Sequence, residues 1–343
     1  MFRNWKEVLQ IAATYVGTVV GAGFASGQEI LRFFTIHGGI GLIAILINTF
    51  LFIWIGGKVM RISREQGCYS YQELNTHLFG KKLSWIVNGL TLIVLFGTTG
   101  VMLSGTGSVF NEQLGLPNQL GILFTIILCM VTLFRGLSGI LWVNSLVVPT
   151  MLLFSGILGI HLFQDRALAN ISFSFESWNW LYSAFLYGGF NLAMAQAVLV
   201  PLGKDMENKQ ILNKGALLGG LTLGFMLLVS HLSLQQNLDS IRELDIPMAY
   251  IIGQFGKPMF FLFTFVVFGE IFTTIIGNVF GLVRQAHSLL KMKEPLAAIL
   301  ILLGSFIVSQ WGFQSLVAVL YPAFGAIGLI FLLRLMVYRE EKS

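Results

Sequence analysis

Charged residues are what this sequence has least of. Only 11% of its 343 residues are charged, whereas about a quarter are charged in a typical soluble domain. A soluble fold of this length needs far more charge to cover its surface, so a soluble enzyme is excluded. Hydrophobic residues make up 55% of the chain, which excludes a disordered protein as well. A multi-pass membrane protein is the class that remains.

Cysteine is scarce too, with Cys68 and Cys129 as the two examples. Neither a disulfide framework nor a metal-ligand spacing can be built from them, so we expect no metal site beyond a bound Na⁺. The sequence shows no catalytic triad and no phosphate-binding loop, which predicts that the protein is not an enzyme and needs no cofactor. The N-terminus lacks a small-residue cleavage site, so we expect no removable signal peptide.

Long apolar runs are what the sequence does have. Because a transmembrane helix needs about 20 apolar residues, the runs predict an all-α polytopic membrane protein with ten transmembrane helices. We place them at about 9–36, 39–61, 83–112, 119–135, 137–163, 179–203, 211–235, 257–286, 295–311 and 315–338. Residues 1–343 then form a single transporter domain.

Two short signals add helices outside these spans. Ser70 and Glu73 have the spacing of a capping box, which predicts a helix that begins directly after Ser70. Pro247 predicts the start of another short helix within residues 246–255.

The net charge of +5 could indicate a nucleic-acid partner, but most Lys and Arg residues flank apolar runs. Basic residues in such places orient helices in a membrane. Their distribution predicts a bacterial cytoplasmic (inner) membrane protein with both termini cytoplasmic. Its partners would be the lipid bilayer and a small-molecule substrate, and no nucleic acid. The oligomeric state stays open.

Glycine interrupts two of the predicted spans. The interruptions lie at 20–27 in span 1 and 187–191 in span 6. Paired interruptions in corresponding helices mark the binding site of many transporters. They predict a five-plus-five inverted repeat, 9–163 and 179–338, with helices 1 and 6 broken. The alternative is that these glycines only let helices pack closely.

Span 1 is too long for a straight crossing, since its helix would extend about 42 Å across roughly 30 Å of hydrocarbon. A break exposes backbone groups that can hold ions. Amides near Ala22, Gly23 and Phe24 could hold a carboxylate. Carbonyls near Gly17 and Val20 could hold a cation.

Residues 17–34, GTVVGAGFASGQEILRFF, resemble the first helix of the amino acid–polyamine–organocation superfamily, which has the LeuT-type fold. Residues 185–209, FLYGGFNLAMAQAVLVPLGKDMENK, are similar to its sixth helix and the following loop. The chain looks closest to the YkvI family of proposed amino-acid permeases. The resemblance implies that helices 1 and 6 bind the substrate in mid-membrane. In this chain, the substrate-binding positions that the resemblance implies are Gly21, Ala22, Gly23, Phe24, Tyr187, Gly189 and Asn191.

Span 8 carries Glu270, Thr273 and Thr274 on one helix face. The two hydroxyls look like the sodium position of LeuT-type carriers, which carbonyls of Gly17 and Val20 would complete. Glu270 departs from that pattern, and a carboxyl deep in a span is by default functional. Alternatively, the hydroxyls only bond back to their own helix.

Glu29 and Arg32 are three residues apart on the outer half of span 1. They could form a gate above the binding site. A local ion pair with no such role is the alternative.

These features together predict a secondary active transporter of a small amino-acid-like solute. The substrate would be an amino acid or related amine, coupled to Na⁺ or H⁺ by alternating access. The alternative is a permease-like sensor that binds a small solute without net transport.

Overall fold

The structure is a computed structural model that describes residues 2–135, 138–164, 177–206 and 208–339. These ranges are helical and contain no strand, which confirms the all-α expectation. The α-helices are α1 (Phe2–Val19), α2 (Ala22–Ser26), α3 (Gln28–Phe33), α4 (Gly41–Leu51), α5 (Gly57–Gln66), α6 (Tyr71–Ser108), α7 (Asn118–Arg135), α8 (Ser138–Gln164), α9 (Asn179–Asp205), α10 (Lys209–Gln236), α11 (Leu238–Ile241), α12 (Pro247–Gly253), α13 (Lys257–Leu290), α14 (Glu294–Ser309) and α15 (Phe313–Val337). A 3₁₀ segment covers Thr35–Ile40, and π-helical turns cover Phe52–Gly56 and Val109–Gln113.

Six helical segments of the described chain are long and apolar enough to cross a membrane. They are Thr35–Gln66, Tyr71–Gln113, Asn179–Asp205, Lys209–Gln236, Lys257–His287 and Phe313–Val337. Three shorter apolar helices accompany them, at Asn118–Leu133, Pro149–Leu162 and Glu294–Ser309. Large apolar side chains such as Leu46, Phe265 and Val319 are exposed on the outside of the bundle. The chain is therefore built as a multi-pass membrane protein. The sequence places the link between spans 4 and 5 at 134–137, and residues 136–137 of it lie outside the described residues.

Both short signals gave the predicted helices. Ser70 Oγ accepts a hydrogen bond from the Glu73 amide at 3.2 Å, and Glu73 Oε2 accepts one from the Tyr69 amide at 2.7 Å. Helix α6 begins at Tyr71 and changes direction at Gly80, whose φ is +75°. Pro247 is the first residue of α12. These capping bonds satisfy amides that the first helical turn leaves free.

The predicted break in span 1 is confirmed. Helix α1 ends at Val19, and α2 begins at Ala22 after an extended residue, Gly21. A second interruption follows at Gly27, whose φ of +87° separates α2 from α3. Because residues other than glycine rarely adopt this left-handed conformation, Gly27 fixes the second turn. One predicted span thus consists of three helical pieces.

The predicted break in span 6 is wrong. Helix α9 continues without interruption through Tyr187, Gly188 and Gly189. Its glycines serve close packing instead, because a Cβ added at Gly189 would lie 2.9 Å from the Leu329 amide nitrogen of α15. On α15, a Cβ added at Gly328 would lie 2.2 Å from the Gly189 carbonyl oxygen. Two helices that meet backbone to backbone need small residues at the contact.

The broken segment lies inside a ring of longer helices. Helix α1 packs on α10, α2 contacts α13, and α9 packs on α15 and α5. The start of α6 lies against the end of α15, where Arg334 Nε donates to the Leu78 carbonyl and His77 meets Tyr338. We call this end of the bundle, where α1 begins and α15 ends, the terminal end.

Candidate functional site

A central cavity of about 490 Å³ lies beside the break in the first span. It is bounded by residues of α1 to α3, α6, α9, α13 and α15. Towards the terminal end it reaches Tyr71 and Gln72 at the start of α6, and Arg284 and Gln285 near the end of α13. This volume is within the usual range for small-molecule sites.

Ten of the predicted site residues line this one cavity. They are Gly17, Val20, Gly21, Ala22, Gly23, Glu29, Asn191, Glu270, Thr273 and Thr274. Four predicted residues do not line it: Phe24, Arg32, Tyr187 and Gly189. The broken segment, one predicted residue of α9 and the polar face of α13 therefore line the same cavity.

The four excluded residues are held elsewhere. Phe24 lines a small separate pocket with residues of α8. The ring of Tyr187 is buried, 4.8 Å from the ring of Phe34. Gly189 faces α15. These three positions were expected to bind substrate, and in this structure they pack helices together.

Glu29 is a buried acidic residue on the cavity wall, next to the break. Its side chain is 4% exposed, and a Cβ added at Gly23 would lie 2.1 Å from its Oε1. Tyr321 of α15 lies beside the Glu29 carboxyl and also lines the cavity. Within the described chain Oε2 has no partner. Glycine at position 23 is what leaves room for this carboxyl.

Glu29 and Arg32 are not an ion pair among the described residues, so that alternative is wrong. Arg32 is exposed and lines a different pocket, together with Arg242 and Gln314. Although residues three apart lie near each other on a helix, these two side chains end in different spaces. Glu29 faces the cavity, and Arg32 faces the opposite end of the bundle from the terminal end.

The predicted cation position also lies on the cavity. The Thr274 hydroxyl is beside the break, 3.9 Å from where a Cβ on Gly21 would be. Thr273 and Thr274 both donate to the Glu270 carbonyl, at 3.1 and 2.8 Å, so they do bond back to their own helix. Their oxygens keep lone pairs that can still bind a cation. The last carbonyls of α1, Gly17 included, lack intrahelical donors because the helix stops.

Glu270 is the second buried carboxyl. Its side chain is 3% exposed, and its Oε1 has no partner in the described ranges. An ionised carboxylate in such a place costs several kcal/mol unless a cation or a hydrogen-bond donor meets it. A bound cation or a bound proton would satisfy it.

Several more polar groups lie on the cavity wall that the sequence interpretation did not assign to the site. Three of the lining residues are Thr98, Gln196 and Asn278. Their buried atoms Thr98 Oγ1, Gln196 Oε1 and Asn278 Nδ2 have no hydrogen-bond partner in the described chain. Phe190 and Tyr321 also line it, with ring centroids 4.9 Å apart. None of them belongs to a local motif, since they are spread over four helices. Only the packing of α6, α9, α13 and α15 brings them together.

Near the end opposite the terminal end, the segment 242–246 joins α11 to α12 and is hydrogen-bonded to several other elements. Asp245 accepts hydrogen bonds from Ser108 Oγ at 2.6 Å and from the Gln314 amide at 3.2 Å. Glu112 accepts from the Asp245 and Ile246 amides, at 2.6 and 3.0 Å. Across the same segment, Gln28 Nε2 donates to the Leu244 carbonyl at 2.5 Å. Four elements of the fold thus hold this segment in place.

Known proteins resemble the whole chain. The membrane protein YkvI of Bacillus subtilis, which is uncharacterized, is 42% identical over 94% of this chain and 93% of its own length. The chain belongs to the YkvI family. A second uncharacterized Bacillus subtilis protein, YyaD, is 28% identical over 97% of both chains. No family model matches.

Solved structures resemble the fold of this YkvI-family chain. The inward-facing conformation of Mhp1 matches 94% of the chain with a TM-score of 0.64 and 16% identity. Mhp1 in a closed conformation with bromovinylhydantoin bound, described as a nucleobase-cation-symport-1 family transporter, matches 92% with a TM-score of 0.58. These matches cover 73% and 74% of the Mhp1 chain. At this identity they show the fold alone, and that fold is LeuT-type as expected.

Proposed function

We propose that this protein is a secondary active transporter of a small amino-acid-like solute, driven by Na⁺ or H⁺. The observation that carries the proposal is the cavity at the break in the first span, with buried carboxyls of Glu29 and Glu270 on its walls. Irregular backbone inside a membrane persists where it lines such a cavity. Buried carboxyls there are by default functional.

The architecture that fits this function is ten transmembrane helices in two inverted repeats, 9–163 and 179–338. The likeness to Mhp1 supports it. The basic residues at the terminal end favour a cytoplasmic location for both termini, in a bacterial inner membrane. The cavity reaches that end, and the segment 242–246 is hydrogen-bonded to four elements at the other, which favours an inward-open carrier.

Coupling follows from the position of the cation site. An ion held by Glu270, Thr273, Thr274 and the carbonyls that end α1 would fix the conformation of the broken segment. The same segment supplies Gly21, Ala22 and Gly23 to the cavity wall. Ion binding would therefore raise the affinity for the solute, and the solute would raise the affinity for the ion by the same factor.

The test is solute counterflow in proteoliposomes that contain the purified full-length chain. Wild type should exchange a radiolabelled solute, and Gly277→Val should not, because this residue lines the cavity and no atom lies within 4 Å of an added Cβ. The valine side chain would fill the cavity with the fold intact. Gly89→Ala, outside the cavity on α6 with no atom near its added Cβ, is the matched control. Binding without counterflow in wild type would contradict transport and indicate a sensor.

Glu270→Gln tests the coupling ion. The amide keeps the size of the side chain and removes the charge and the titratable proton. We expect uptake to lose its dependence on sodium or on a pH gradient, with the melting temperature of the ligand-free protein little changed. Uptake that keeps the wild-type response to both ions would contradict the role of Glu270.

A further inference from the structure

The chemistry of the cavity wall indicates which kind of solute the proposed transporter takes. The two acidic residues on the wall, Glu29 and Glu270, both have a buried oxygen without a partner in the described chain. Arg284 is the single basic residue on the described wall. The Gln196 and Asn278 amides are uncharged and can present either a donor or an acceptor. The two carboxyls therefore decide the sign of the charge that the cavity wall presents to a solute.

Arg284 is too far from the break to balance these carboxyls. Its Cα atom lies ten residues after that of Thr274 on one continuous helix, about 15 Å along the axis, and its guanidinium packs on the Phe280 ring, one turn nearer to the break. In an α-amino acid the ammonium nitrogen and the carboxylate carbon are only about 2.5 Å apart. A solute whose ammonium group meets Glu29 therefore cannot place its carboxylate at Arg284.

The space beside the break also disfavours an anion. The Glu29 carboxyl lies directly against Gly23, where the sequence alone suggested a place for a substrate carboxylate. A second carboxylate at that point would be next to a protein carboxyl, and like charges at close range repel. A carboxyl of the protein thus already lies beside the broken segment.

The surroundings of Glu29 suit an ammonium group with an apolar body. Phe190 and Tyr321 line the cavity with their rings packed on each other, and Tyr321 lies beside the Glu29 carboxyl. Aromatic faces attract ammonium groups, most strongly where water is excluded. Met102 and Met194, on α6 and α9, provide adaptable apolar wall.

We propose that the solute is an organic amine without a carboxylate, whose ammonium group binds Glu29 beside the packed rings of Phe190 and Tyr321. Glu270 then remains for the coupling cation, so that each buried carboxyl has its own positive partner. The inference rests on the proposed function for the role of Glu270, but the binding mode at Glu29 can be tested by itself.

The experiment compares amino acids with the amines that their decarboxylation gives. The pairs are valine and isobutylamine, methionine and 3-(methylthio)propylamine, phenylalanine and phenethylamine, and lysine and cadaverine. Binding is measured by thermal shift and calorimetry on the full-length protein in lipid nanodiscs. At neutral pH these amines are protonated. We expect at least one amine to bind about tenfold or more tightly than its parent amino acid.

Variants assign that preference to Glu29. Glu29→Gln should weaken binding of the amine at least about tenfold, because an ammonium group loses its charged partner. Tyr321→Phe keeps the ring and removes the hydroxyl, so it should weaken binding by about three- to tenfold. Glu243→Gln removes a carboxyl that is exposed and outside the cavity, and should leave affinity within about twofold. Glu29→Asp keeps the charge, so it should bind the amine more tightly than Glu29→Gln does and less tightly than wild type.

Three results would overturn the inference: an amino acid that binds as tightly as its amine, amine binding that does not depend on Glu29, or no binding of any amine in the panel. Counterflow of the same compounds separates this inference from the transport proposal. Counterflow of an amino acid without that of its amine overturns the substrate class and keeps transport. Binding of an amine at Glu29 without counterflow keeps the substrate class and overturns transport.

Discussion

Two glycine-rich segments of this protein look alike in sequence and behave differently in the fold. The segment 20–27 interrupts the helix twice, whereas Gly188 and Gly189 lie within an unbroken helix. In the first segment, glycine supplies the positive φ of Gly27 and the space that the Glu29 carboxyl occupies beside Gly23. In the second, it lets α9 touch the backbone of α15. Glycine thus marks either a break or a close contact, and the neighbouring elements decide which.

Of the substitutions that test this comparison, we expect the largest loss of stability from Gly328→Ala, on the α15 side of the close contact. The new Cβ would lie 2.2 Å from the Gly189 carbonyl oxygen, and backbone cannot move aside as a side chain can. We expect a loss of stability of about 1–3 kcal/mol, as in overpacked cores. Thermal unfolding in detergent measures it, with Gly89→Ala as the control. Equal melting temperatures for Gly328→Ala and wild type would mean that the contact is looser than the structure shows.

A smaller effect on stability, but a large one on binding, is expected from Gly23→Ala. The added Cβ would lie 2.1 Å from Glu29 Oε1, so the carboxyl must move. Because this neighbour is a side chain, the fold should lose less than about 1 kcal/mol. Solute affinity should fall at least about tenfold, since the position of the charge changes. Calorimetric titration measures this.

The double variant Gly23→Ala/Glu29→Asp checks the explanation. The shorter acid leaves room for the new methyl group, so it should recover part of the affinity that Gly23→Ala loses. No recovery, together with unchanged melting, would show that Gly23 acts through its backbone rather than through Glu29.

The smallest effect should come from Gly21→Ala, at the break itself. Gly21 has a φ of −109°, which other residues adopt readily, and the nearest atom to an added Cβ is Thr274 Oγ1 at 3.9 Å. We expect unchanged melting and affinity within about threefold of wild type. A severe loss of binding would show that the break needs glycine for a reason other than backbone freedom or this contact.

Much of the site could be read from the sequence, because its strongest signals are local. The length of span 1 and its glycines predicted the break, and the spacing of Glu270, Thr273 and Thr274 placed them on one helix face. The orientation of Glu29 was not predictable, since a pair at i and i+3 with Arg32 equally suits a local ion pair. Tyr321 and Phe190 were missed because their proximity depends on how α9 and α15 pack.

By itself, the sequence determined that this is a helical membrane protein with an interrupted first span and an acidic residue deep in span 8. Composition and helical periodicity are properties of residues that are close together in the chain, so they can be read without the fold. The tertiary structure decided that α9 stays intact, that Glu29 faces the cavity, and that the unpartnered polar atoms meet in one place. Those outcomes depend on contacts between residues far apart in the chain, and no local pattern encodes which helix face meets which.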